Sequence, residues 1–187
     1  MLLGSPQSSG SLSNSAAPQF RALEWIVTTD MNVAGLSDDE LLQRWMAVTL
    51  YYSFGGETWA NSNFWLSNFN ECGWNGITCD VNGGITGIAL SSNNLQGTIP
   101  FEISLASNLE YLQLGENNIQ GTIPSQLGLL SNLRSLELNG NQFSGDLPAQ
   151  LGSLSRLSKS LVSSDHVPLD LVLTLLFANH SGTGFER

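Results

Sequence analysis

The sequence predicts an α/β repeat solenoid with a helical N-terminal cap, on three observations. A 24-residue unit recurs in register over 85–108, 109–132 and 133–156. Each copy holds an Asn, a Gly and a Pro at the same places, so the chain is expected to turn identically each time. All five tryptophans, Trp25, Trp45, Trp59, Trp65 and Trp74, precede the first copy, where an array needs a different structure to shield its open end.

Within the unit, Leu109-x-x-Leu112-x-Leu114 ends in apolar–polar alternation, the pattern of a short strand burying one face. Asn117 follows, with Asn93 and Asn141 at the equivalent places. An amide both donates and accepts, so stacked copies are expected to satisfy the backbone of successive turns. Gly121-Thr122-Ile123-Pro124 then bends the chain, echoed by Gly97–Pro100 and by Gly145-Asp146-Leu147-Pro148. Leu127, Leu130 and Leu133 return to the core at three-residue spacing, as do Ile103, Ala106 and Leu109, and Leu151, Leu154 and Leu157.

This Gly-x-Ile-Pro unit resembles the plant-type leucine-rich repeat of receptor-like kinases, receptor-like proteins and polygalacturonase-inhibiting proteins. The resemblance covers 83–162, as three complete repeats and one degenerate one. A chance Leu-rich amphipathic stretch would not keep Asn, Gly and Pro in phase three times. The resemblance implies a right-handed superhelix with a parallel sheet on its concave face.

The segments ahead of the repeats are expected to divide into a disordered stretch, 1–17, and a cap, 18–82. Residues 1–17 are rich in Ser, Gly and Pro, with little to bury. Met1-Leu2-Leu3 is broken at once by Gly4, Ser5 and Pro6, so no secretory apolar region is expected there. A helix starts at Pro18, with Phe20, Leu23, Ile26 and Val27 as its apolar stripe. A second begins behind Ser37, where Ser-x-x-Glu to Glu40 forms a capping box and Asp38 and Asp39 suit the helix dipole. It carries Leu41, Leu42, Trp45, Val48, Leu50 and Tyr52, and stops at Gly55-Gly56. The tryptophans read as side chains covering the end of the solenoid, in preference to an aromatic ligand platform.

The cysteines lie in Cys72-Gly-Trp-Asn-Gly-Ile-Thr-Cys79. Together with Gly55-Gly56-Glu57-Thr58-Trp59 and Trp65-Leu66 this resembles the plant-type cap, departing from it in Gly73 and in the extra preceding helix. The resemblance implies a Cys72–Cys79 disulfide, an oxidising compartment and an extracellular or cell-surface, membrane-associated location. Two Cys with no nearby His are too few for zinc.

Past Leu157 the period is expected to fail. Ser160 stands where a strand Leu belongs, and Asp165, which has no N–H to donate, stands at the ladder position. Residues 163–187 read as an irregular tail, too short and too interrupted by Asp170 to span a membrane. Two readings of this end stay open: a non-repeating lid, or a piece of a longer receptor.

Composition narrows the function. A formal charge of −10 with six Lys and Arg argues against nucleic-acid binding and against docking on anionic lipid. His166 and His180 lie in the tail, and no Ser, Cys or Asp of the repeats has a base recurring beside it, so no catalytic site, cofactor or metal is expected. Asn179-His180-Ser181 matches a glycosylation acceptor.

Function is then expected on the outward strand positions. The first row, Thr86, Gly87, Ala89, Ser91 and Ser92, is small. The next two rows carry Glu110, Tyr111, Gln113, Gly115 and Glu116, then Arg134, Ser135, Glu137, Asn139 and Gly140. Tyr111, Gln113, Glu116, Arg134, Glu137 and Asn139 form the candidate partner-binding set, with Tyr111 and Arg134 as neighbouring anchors. The expected role is a non-catalytic recognition module for a protein, peptide or glycan. The alternative is a structural or adhesive wall protein using its repeats as a spacer.

Overall fold

The computed structural model describes residues 14–162. Most of the predicted disordered stretch, and the tail with Asp165, both histidines and the glycosylation match, lie outside these residues. Asn14 already opens a turn, its carbonyl accepting from Ala17 N and its side chain from Ala16 N.

Two helices begin the cap. In α1 (Pro18–Thr28) proline sits at the first turn, where no N–H is missed. The buried stripe is Ala22, Trp25 and Ile26, while Leu23 and Val27 stay exposed. The predicted stripe was therefore rotated: Trp25, the largest apolar side chain available, decides which side turns inward. In α2 (Asp38–Ser53) both halves of the Ser37–Glu40 capping box are formed. Ser37 holds the Glu40 carboxyl below the usual carboxylate range. The helix ends at Gly55, whose φ of 67° is left-handed. It buries Arg44 to Leu50 continuously, whereas Leu41 is exposed and Leu42 half-buried.

The main sheet has five strands in chain order: β1 (Ile77–Cys79), β2 (Ile85–Ala89), β3 (Tyr111–Gln113), β5 (Ser135–Glu137) and β7 (Lys159–Leu161). β2 to β7 pair in parallel in the 24-residue register, Gly87 to Tyr111 to Ser135 to Lys159. β1 pairs antiparallel with β2, so the cap extends the sheet and covers its first edge. The repeat strands form the expected parallel sheet, and the antiparallel strand is the cap's own addition. A second ladder, β4 (Gln120–Gly121) with β6 (Gln142–Phe143), runs along the flank.

Each coil then follows the periodic residues. Leu109, Leu112, Leu114, Leu127, Leu130 and Leu133 are fully buried, each contributing about 1.5–3 kcal/mol by leaving water. Gly97, Gly121 and Gly145 have φ of 79°, 79° and 76°. At Gly97 an added Cβ would also run into the Ser53 carbonyl of the cap. Pro100, Pro124 and Pro148 each open a short 3-10 turn (Phe101–Leu105, Ser125–Leu129, Ala149–Ser153) that returns the chain to the next strand.

The asparagines bond to backbone on neighbouring turns. Asn117 Oδ1 accepts from Asn93 N (2.9 Å) and Leu95 N (3.0 Å), and its Nδ2 donates to the carbonyls of Leu90, Leu114 and Gly115. Asn141 repeats this one coil on, accepting from Ile119 N and donating to Leu114, Leu138 and Asn139 carbonyls. Asn93 reaches into the cap, accepting from Asn61 N and donating to Asn61 O.

The period outlasts its sequence pattern. β7 forms although its core position is Ser160, buried with an unpartnered Oγ. Backbone pairing to β5 and burial of Leu157 and Val162 carry the strand past the residue where regularity was expected to stop. Among the described residues no helix is long and apolar enough to cross a membrane.

Candidate functional site

The cap must hold the first strand in place before that strand can present anything. All five tryptophans are at most 7% exposed, so they offer no platform to a ligand. Trp25, Trp74, Trp65, Trp59 and Tyr51 pack ring to ring in sequence, at centroid distances of 6.4, 5.1, 4.9 and 5.4 Å. The indole N–H groups of Trp59, Trp65 and Trp74 donate to the main-chain carbonyls of Phe54, Asn75 and Phe69.

At the centre of this cap lies a charge that the apolar pattern of α2 concealed. The Arg44 guanidinium is 1% exposed and sits between the Trp25 and Trp74 rings. It donates to Asp30 through Nε and Nη2, to Glu71 through Nη1 (3.0 Å), and to the carbonyls of Phe69 and Ser67. Burial alone would pull its proton affinity down, and the two carboxylates more than reverse this. Gln43 Nε2 donates to Glu71 and to Gly83 O, while its Oε1 accepts from Ile85 N at the start of β2. Next to Glu71, Cys72 is bonded to Cys79 with Cα atoms 5.6 Å apart. Helix, loop and first strand are thus joined through one network. The sequence clue was a lone Arg inside an apolar helix and a Glu beside the first cysteine.

On the open face of the sheet, Tyr111 is 46% exposed. Its register neighbours are Gly87 on one side and Ser135 on the other. Ser135 was expected to face outward and is buried, lying in register between Tyr111 and Lys159, with its Oγ on Glu137. Gln113 stands beside Glu137 and donates to it at 3.0 Å. Glu116 accepts from Asn139 Nδ2 at 2.9 Å, at the strand ends where Glu116 adopts a φ of 56°.

Arg134 makes its ion pair away from Tyr111. Its partner across the strands is Glu110, at 3.1 Å, and its N–H donates to the Glu110 carbonyl. Both precede the strands, so Arg134 lies at the rim and one residue out of register with Tyr111. The sequence reading also missed a cation. Lys159, 24 residues past Ser135, meets Glu137 at 2.6 Å. Hydrogen bonds from Lys159 and then Gln113 hold the Glu137 carboxyl below its ordinary range. Simple continuation of the register would have found Lys159; the abandoned period hid it. Among the described residues no cluster of His, Cys, Asp and Glu is arranged to hold a metal.

Comparison with known proteins agrees with this geometry. A family model, the leucine rich repeat, matches residues 84–143. No curated protein matches the chain. Among solved structures, the PEPR1–AtPEP1 complex aligns with a TM-score of 0.58 and 28% identity, over 71% of this chain and 18% of that one. The ectodomain of the receptor kinase SOBIR1 from Arabidopsis thaliana aligns with a TM-score of 0.52 and 26% identity, over 67% of this chain and 70% of that one. The BIR3–SERK2 complex, also from Arabidopsis thaliana, gives 31% identity and a TM-score of 0.48, over 51% of this chain. This chain spans 53% of that last structure's chain.

Proposed function

This chain is a leucine-rich repeat protein of the plant type, and from that premise we propose that it is a non-catalytic recognition module binding an extended segment of a peptide or protein partner across its main sheet. One observation carries the reading. Tyr111 is a large aromatic left 46% exposed on a middle strand, on a face whose other side chains are small or polar. A rigid aromatic offers contact area at little entropic cost, and Gln113 and Glu137 beside it add donors and acceptors already held in place. The likeness to PEPR1, solved with AtPEP1, supports a binding role for this type of surface. The Cys72–Cys79 disulfide supports an extracellular or cell-surface setting.

The test is selection of a displayed library of random extended peptides on the purified chain. Wild type should enrich related sequences, and Tyr111→Ala with Gln113→Ala should abolish that enrichment while the flank variant Leu129→Ala retains it. Enrichment that survives the Tyr111 and Gln113 changes would move the site elsewhere. No enrichment by wild type would favour the spacer role.

A further inference from the structure

Glu102 lies in the 3-10 turn of the first coil, 1% exposed, and no donor meets either of its carboxyl oxygens at full hydrogen-bond geometry, its own N–H and Gln19 only coming near. The repeat supplies its own comparison. The equivalent residue is Gln126 in the second coil, half-buried, and Gln150 in the third, exposed. The cap distinguishes the first coil from the others: α2 packs on the turn that carries Glu102, and Gln19 of α1 approaches its carboxyl. Docking of the cap therefore creates the burial.

No cation on the packed elements compensates this carboxyl. α1 carries Arg21 and Glu24; α2 carries Asp38, Asp39, Glu40, Arg44, Tyr51 and Tyr52; the neighbouring turn Ser125–Leu129 carries no titratable group. Arg21 is committed to Glu57 and to the Tyr52 ring. Arg44 is held by Asp30 and Glu71.

We propose that the joint between cap and repeats is a proton-linked latch: the cap seats on neutral Glu102, and rising pH loosens it by placing an uncompensated carboxylate beneath the cap. Burial pushes the Glu102 carboxyl up, against a smaller opposing pull from its own backbone N–H and from Gln19. The sign follows from proton linkage. The folded chain keeps this proton to higher pH than the unfolded chain does. Ionisation of Glu102 therefore adds no penalty below the ordinary glutamate range, a growing one as pH rises towards and through the folded value, and a constant one above it. Such a joint is tightest in an acidic medium.

The test compares urea unfolding of wild type, Glu102→Gln and Gln126→Glu between about pH 4 and 8, a window that brackets the ordinary carboxyl range, followed by tryptophan fluorescence, since every tryptophan is in the cap. Wild type and Glu102→Gln should share a midpoint at the acid end. Their difference should grow with pH and then level off, with Glu102→Gln the more stable. Gln126→Glu, outside the cap's footprint, should run parallel to wild type. Parallel curves for wild type and Glu102→Gln would overturn the latch, as would a Glu102→Gln protein that is weaker at neutral pH or unfolded throughout. A Gln126→Glu protein with added pH sensitivity would assign the effect to the repeat position and not to the cap.

Discussion

Arg44 in the cap and Asn117 in the repeats are both buried polar side chains with their donors engaged. They reach that state differently. Asn117 bonds to backbone fixed by the repeat itself, at Leu90, Asn93, Leu95, Leu114 and Gly115. Any chain with the same period would supply those atoms. Arg44 depends on Asp30, Ser67, Phe69 and Glu71, which recur nowhere and meet only once α1, α2 and the disulfide loop are assembled. Failure in the repeats should therefore be graded and local, and failure in the cap abrupt.

The largest effect expected is at Arg44. Arg44→Met leaves Asp30 and Glu71 buried without their counter-charge, and should lower unfolding stability by about 3–5 kcal/mol. Replacing Arg44, Asp30 and Glu71 together with apolar residues should recover most of that loss, because two uncompensated charges go with the third. A single variant with a near-native urea midpoint would show that the cap does not rest on this triad.

Opening the disulfide comes next. It closes a loop with a sequence separation of seven residues, for which chain entropy gives roughly 2–3 kcal/mol. Its loop also carries Glu71 to Arg44. Cys72→Ser with Cys79→Ser, combined with Arg44→Met, should therefore cost less than the sum of the separate losses. Strict additivity would mean that loop and triad act independently.

The same contrast explains how much could be read from the sequence. Periodicity exposes any contact made at 24 residues, so the core leucines, the left-handed glycines and the asparagine ladder were all legible. Capping chemistry was legible too, since Ser37 and Glu40 interact within one turn. The Arg44 network was not, because a lone contact between distant segments leaves no repeated trace. At the candidate face, Tyr111, Gln113 and Glu137 emerged from the strand pattern. Ser135 was misjudged because alternation says which way a side chain starts and not what its neighbours cover. Arg134 pairs with Glu110, a partner that its place one step before Ser135 does not by itself reveal. Lys159 escaped notice because the period is expected to fail past Leu157, where Ser160 takes a strand position. The backbone pairing of β7 outweighs that one poor core residue.

Within the repeats, Asn117→Leu should lower stability by about 1–3 kcal/mol, since it strands buried N–H and C=O groups on two coils. Asn141→Leu, at a half-buried position, should cost less because water can replace part of what is lost. Equal costs at the two positions would argue that burial does not set the strength of the ladder. Both variants should leave the tryptophan fluorescence of the cap unchanged, in contrast to Arg44→Met.

The smallest effect should lie on the open face. Arg134 and Glu110 form an ion pair whose side chains are 49% and 34% exposed, so the charges are already well solvated and their attraction is screened. Arg134→Ala should shift stability by less than about 1 kcal/mol, and by less still at high salt. Tyr111→Ala should cost less than Asn117→Leu, since the ring is 46% exposed and its removal strands no buried backbone group. Together they give the cap-versus-repeat contrast its sharpest form. A side chain presented by the regular part of the molecule is free to change without weakening the frame, which is what a surface that must vary to suit a partner requires. If Tyr111→Ala instead destabilises as much as Asn117→Leu, the ring is part of the packing of the sheet, and the binding site proposed around it loses its anchor.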